Sequence, residues 1–166
     1  MNEQQKLKQL VFSSLGIAIV FVATIFIRIP NTIHGYIDLG DGFILLFASI
    51  LNPVFAFLVG GLGSGLADIA GGYGFYFFFT LLIKGMEGFM VSYLVSKSKK
   101  NKTRFLAYIL GSIIMIIGYL IADSFINQSF WLGLVGVSGN LFQAGAGLLI
   151  ALFGFPLLKK IPYLDQ

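Results

Sequence analysis

Cysteine is absent, histidine occurs once, and charge is scarce: 11 basic and 7 acidic residues among 166, or 11%, against roughly 25% in ordinary globular chains. Without cysteine there are no disulfides, no Cys-ligated metals and no thiol nucleophile. The lone His34 has no second histidine at metal-ligand spacing, and no serine has a nearby base. Nor do the acidic residues form the paired, Asp-rich motifs that membrane enzymes use to hold Mg²⁺ at phosphates. We therefore expect no enzyme, no cofactor and no metal.

What is present is long apolar sequence. Residues 10–27, 42–67, 105–122 and 130–158 carry no charge, and the mean hydropathy is +0.91. An ionised side chain in hydrocarbon costs ~3 kcal/mol or more, so a bilayer demands such runs and water does not. We expect an all-α integral membrane protein, with 1–166 forming a single six-helix transmembrane domain. That leaves no room for a soluble head, so any ATPase belongs to another chain. The net charge of +4 does not imply nucleic acid, because no basic stripe is interleaved with aromatics. A cleaved signal is not expected either: the first run is too long and ends in Arg28-Ile29-Pro30.

Periodicity and turn residues place helices at about 10–27, 40–51, 54–70, 76–96, 105–123 and 136–158. The second apolar block is divided at Asn52-Pro53, since proline suits the first turn of a helix. With six crossings, Lys6, Lys8, Lys97, Lys99, Lys100, Lys102, Arg104, Lys159 and Lys160 share one side. The positive-inside rule makes that side cytoplasmic, with both termini there and Arg28 outside. Asp38, Asp41, Asp68 and Asp123 map to the other side with Tyr73, Tyr76, Asn127, Gln128 and Trp131. They form either an ordinary wet surface or an outward polar cup.

Small residues four apart in helix 3 (Ala56/Gly60/Ser64, Gly61/Gly65) predict close helix packing. A phosphate loop is excluded there, because no Gly-Lys-Ser/Thr follows. In helix 4, Tyr76, Thr80, Lys84 and Glu87 share one face. Lys84 lies ~12 Å from the outer end and needs a carboxylate or an aqueous cavity. Glu87 is its expected local partner and Asp68 the rival. The pair is either a structural link or the floor of a ligand pocket. Asn140 and Gln143 share a face of helix 6, suited to reading a small heterocycle or to interhelical hydrogen bonding. Tyr119 and Asp123 are one turn apart on helix 5. Ser14 and Ala18 mark a small-residue face on helix 1, for packing inside the bundle or for docking a membrane partner.

Leu39-Gly40-Asp41, Asn52-Pro53, the run from Gly60 to Asp68, Gly72-Tyr73 and Leu82-Ile83-Lys84-Gly85 resemble the S components of energy-coupling factor (ECF) vitamin transporters. The likeness is greatest to the short six-helix members of riboflavin and hydroxymethylpyrimidine type. It is strongest over residues 36–95 and extends elsewhere as helix count and topology. Phe79 stands where the subgroup usually has proline before Thr80, and Asn52-Pro53 replaces its common Gly-Pro. The resemblance implies a substrate-capture subunit of an ECF-type ABC importer in a bacterial cell membrane. It would take a vitamin or precursor at its outer face, close the first loop over it and topple to release it. Its partners would be a transmembrane T subunit, docking on Ser14 and Ala18, and two cytoplasmic ATPases. Matched positions assign the pocket to Asp41, Lys84 and Glu87, and more loosely to Asn140 and Gln143. Adding the residue reading gives Asp41, Tyr76, Thr80, Lys84, Glu87, Tyr119, Asn140 and Gln143. Hydroxymethylpyrimidine or pyridoxine fits such a set, with riboflavin and pantothenate as the alternatives, and either Lys84→Ala or Asn140→Ala should weaken binding more than folding. The other reading is a free-standing ion-coupled secondary transporter, although no inverted repeat is evident.

Overall fold

Asn2 starts the first helix earlier than the apolar run suggests. Its side chain accepts from Gln5 N at 2.8 Å while its own N–H donates to Gln5 Oε1 at 3.1 Å, a reciprocal cap that extends α1 (Glu3–Phe26) into the polar leader. This computed structural model describes residues 2–31 and 35–160, so the expectation for His34 lies outside the described residues. After α1 come a short antiparallel pair, β1 (Arg28–Pro30) and β2 (Tyr36–Asp38), then α2 (Gly40–Ala48) and α3 (Pro53–Ala70). A 3₁₀ turn (Gly74–Tyr76) leads into α4 (Phe77–Lys97), followed by α5 (Asn101–Ile126) and α6 (Phe130–Leu158). Ser129 caps α6 by accepting from Leu132 N, so that helix begins at Phe130 instead of near 136.

Five segments are long and apolar enough to cross a membrane: α1, α3, α4 with its leading turn, α5 and α6. At nine residues, α2 is only ~13.5 Å long, well short of a ~30 Å hydrocarbon layer. The segment around it nevertheless runs along most of α1. Gly40 lies against Thr24 near one end of α1, whereas Asn52 N donates to Gln9 Oε1 at 2.8 Å near the other. The carbonyls where α2 frays are satisfied from neighbours: Ser92 Oγ donates to Leu51 O at 2.6 Å and Gln9 Nε2 to Ile50 O at 3.3 Å. Side-chain donors are needed there because a buried carbonyl left unpaired is costly. Asn52 then caps α3, accepting from Phe55 N at 3.1 Å, with Pro53 in the first turn.

The apolar core surrounds α2, which is buried on nearly every side by α1, α3, α4 and α6. Ile44, Leu45, Val20, Val59, Val91 and Tyr108 are fully enclosed. Polarity runs opposite to that of a water-soluble protein. Phe26, Phe78, Phe125, Trp131 and Phe153 face outward, while Asp41, Asp68, Lys84, Glu87, Asp123 and Gln143 are inside.

Helices α3 and α4 approach closely through their glycines. A Cβ on Gly61 would come within 2.6 Å of the Leu81 carbonyl, one on Gly88 within 2.5 Å of the Ala56 carbonyl, and one on Gly60 would collide with the carbonyl of Lys84. Backbone cannot rotate aside as a side chain can. Gly60→Val is therefore expected to cost about 3 kcal/mol, the upper part of the usual overpacking range. Unfolding in detergent would show it as a lowered midpoint.

Candidate ligand-binding site

The hairpin of β1 and β2 lies across the end of the bundle where α1 finishes. It pairs Arg28 with Asp38, Ile29 with Ile37 and Pro30 with Tyr36. Asn31 and Gly35 close it, exchanging Asn31 N to Gly35 O at 2.9 Å and Gly35 N to Asn31 Oδ1 at 2.8 Å. Ile37 packs against α6 at Gly139, and the remaining ties described to the helices beneath are polar or aromatic. Tyr36 Oη donates to Asp68 Oδ1 on α3. Asp38 N donates to Gln143 Oε1 on α6 at 3.0 Å, and Thr24 Oγ1 on α1 donates to Asp38 Oδ1 at 3.3 Å. The Arg28 guanidinium sits 5.3 Å from the Tyr36 ring centre and 5.2 Å from that of Tyr73, a cation–π clasp at the rim. Asp38 also accepts from Gly40 N at 2.6 Å, anchoring the start of α2. Burial pushes the Asp38 carboxyl up to about 6, with the charge of Lys84 pulling the other way.

Beneath the hairpin is a small polar cavity of about 20 Å³, room for about one water. The hairpin contributes Asn31, Gly35, Tyr36 and Asp38 to its lining; Asp68 comes from α3. Tyr76 and Thr80 line it from the head of α4, Tyr119 and Asp123 from α5, and Asn140 and Gln143 from α6. Tyr76 Oη donates to Asp123 Oδ1 at 2.6 Å, and Thr80 shares a hydrogen bond with Tyr119 at 3.0 Å. Asp68 is 1% exposed, and its Oδ2 has no partner among the described residues. Three carboxyls, three phenols and three side-chain amides thus converge, with no Lys or Arg among the described lining residues. Such a wall favours ligands that bring N–H or O–H donors and disfavours anions.

Below this cavity lies a separate charged layer. Lys84 Nζ pairs with Asp41 Oδ1, both 1% exposed, and Gln143 Nε2 donates to Asp41 Oδ2 at 2.7 Å. Sequence reading expects Lys84 to pair with Glu87, or failing that with Asp68; the structure corrects this to Asp41. Helical side chains lean toward the N-terminus, so Lys84 reaches back toward the hairpin end, where the first turn of α2 presents Asp41. Glu87 is one turn further along, fully buried, and neither of its oxygens has a hydrogen-bond partner among the described residues.

Five of the eight sequence-predicted binding residues therefore line the cavity: Tyr76, Thr80, Tyr119, Asn140 and Gln143. Asp41, Lys84 and Glu87 lie outside the lining, and Asp41 reaches the cavity indirectly through Gln143. Asp38, Asp68 and Asp123 belong to the acidic cup read from the sequence but not to its binding set. Asn31, Gly35 and Tyr36 belong to the first loop, which the resemblance expects to close over the ligand. The sequence does not single them out for the pocket, because nothing in so short a loop announces a hairpin. Asn127, Gln128 and Trp131, assigned to the same cup, do not line the cavity. Ser14 and Ala18 are exposed on α1, and Ser14 Oγ spends its proton on Leu10 O at 2.9 Å, leaving a smooth, weakly polar face.

Comparison with known proteins gives three likenesses. The family model described as ECF-type riboflavin transporter, S component, matches residues 4–161. A Pyrococcus woesei protein described as "Uncharacterized protein in gap 3'region" is 35% identical over 145 residues, covering 86% of this chain and 96% of the relative. The thiamine precursor transporter HmpT of Lactococcus lactis subsp. cremoris (strain MG1363) is 24% identical over 169 residues, covering 98% of this chain and 95% of that protein.

Proposed function

The chain belongs to the family of ECF-type riboflavin transporter S components, and from that premise we propose that it captures a donor-bearing, non-anionic vitamin precursor beneath the β1–β2 hairpin. Family membership makes it a multi-pass membrane protein and a vitamin-binding transport subunit, in a family of transporters and not of enzymes. T and ATPase subunits are the partners the family implies in general. This favours the importer subunit over a free-standing ion-coupled transporter.

Capture there rests on a hollow walled by carboxyls, phenols and amides, with no Lys or Arg among the described lining residues, roofed by a hairpin held through polar ties. An aminopyrimidine such as hydroxymethylpyrimidine, or a hydroxypyridine such as pyridoxine, offers ring edges with donors for Asp68, Asp123 and Asn140. Pantothenate, a carboxylate, would meet like charge. The name of the Lactococcus relative supports the first of these ligands. Vitamin-sized ligands occupy pockets on the order of 300 Å³ or more, so the hairpin must lift for one to enter. Six crossings are supported by the course of residues 40–52 along α1, which gathers Lys97 to Arg104 and Lys159 at the end opposite the hairpin. That end is then cytoplasmic in a bacterial cell membrane, with both termini there and 1–166 acting as one unit. Delivery follows by toppling of the whole subunit.

Mass spectrometry of small molecules retained through detergent purification tests the ligand. We expect a pyrimidine or pyridine at near-equal stoichiometry; a bound carboxylate vitamin would overturn the ligand class. Docking of the T subunit is assigned to the α1 face that includes Ser14 and Ala18. Ala18→Trp is expected to leave ligand affinity unchanged and to reduce co-purification of the T subunit at least several-fold.

A further inference from the structure

At the end of the bundle away from the hairpin, a larger cavity of about 420 Å³ opens between the close of α2, the last turns of α4 and α6, and the first turn of α5. Its charged lining residues are Lys99, Arg104 and Lys159, with no Asp or Glu among the described lining residues. Arg104 is the informative one. It is 7% exposed, its guanidinium carbon sits 3.5 Å from the centre of the Phe155 ring, and Nη1 donates to Asn101 Oδ1 at 2.9 Å. Its Nε has no partner among the described residues, and its one further bond, Nη2 to Lys99 O, is a long 3.5 Å. A planar cation is thus held by one face and one corner, with a donor edge left open.

Burying a guanidinium without a carboxylate is costly unless an anion completes it. Arginine's paired donors suit the two oxygens of a phosphate, and Lys99 and Lys159, both exposed, supply point charges at the mouth. A second cavity, about 240 Å³, shares Arg104 and Phe155 and continues between α5 and α6 over Phe105, Leu152 and Pro156. A polar hollow joined through one arginine to an apolar groove matches a headgroup with its acyl chain.

We propose that Arg104, Lys99 and Lys159 bind the phosphate of an anionic phospholipid, with a chain lying along the α5–α6 groove. Basic pockets between transmembrane helices are suited to this role. The site is independent of the ligand cavity and of which vitamin occupies it.

The test uses the purified full chain in nanodiscs of phosphatidylglycerol, of phosphatidylcholine, and of phosphatidylcholine with added inorganic phosphate. Lipid retention is read by native mass spectrometry after transfer to detergent, and stability by the thermal midpoint. Arg104→Gln would also lose its packing on Phe155, so the primary variant is K99Q/K159Q, which changes two exposed side chains. The wild type should retain one phosphatidylglycerol and gain a higher midpoint with that lipid alone. The double variant should bind it roughly 30-fold more weakly, from the usual worth of each basic residue near a membrane surface. Equal retention of both lipids, or an unchanged affinity in the double variant, would overturn the site. A full midpoint shift from inorganic phosphate without anionic lipid would overturn the lipid as its source.

Discussion

Lys84→Met is expected to destabilise the folded bundle by about 3–5 kcal/mol, because it strands the Asp41 carboxylate in the interior. Asp41 is held by Lys84 and by Gln143, and it has no route to water at 1% exposure. Gln143 also holds the hairpin through Asp38 N, so the damage should spread to the roof of the ligand site. Pairing the substitution with Asp41→Asn removes the stranded charge, and most of the lost stability should return. Unfolding midpoints of the four proteins in detergent, taken as a double-mutant cycle, give the coupling directly. This reverses the sequence-level expectation that Lys84→Ala disturbs binding more than folding. Lys84 lies below the hollow and not in its wall.

Asn140→Ala is expected to do the opposite. Asn140 lines the cavity and is 8% exposed, so its side-chain amide stands in the wall where a bound ring would meet it. Losing one hydrogen bond to a bound ring, and leaving the ligand's group unpaired, costs roughly tenfold or more in affinity. The unfolding midpoint should move little. The ratio of the two effects separates a binding amide from one that merely links helices, and equilibrium titration beside thermal unfolding measures both.

The helices were legible because hydrocarbon imposes its demand locally: uncharged runs, the Asn52-Pro53 break and the small-residue spacing of α3 each state their purpose without tertiary context. The Tyr76, Thr80, Lys84 face was legible for the same reason, since helical periodicity alone aligns it. What the sequence hid was partner choice. Lys84 has carboxylates at several sequence distances, and only the lean of its side chain and the position of α2 select Asp41. The hairpin was hidden too. Its strands are three residues each, too short for alternation to register, and its ties run to Asp68 and Gln143, far away in sequence. Likewise, about 40–51 reads as one helix, though only Gly40–Ala48 is helical and side chains of α1 and α4 satisfy the carbonyls of Ile50 and Leu51.

Titration of the purified protein with hydroxymethylpyrimidine, pyridoxine and pantothenate bears most directly on capture under the hairpin. Saturable one-to-one binding of a pyrimidine or pyridine, weakened in Asn140→Ala and absent with pantothenate, is the expected result. Preference for the carboxylate, or identical affinities in the wild type and a well-folded Asn140→Ala, would contradict it.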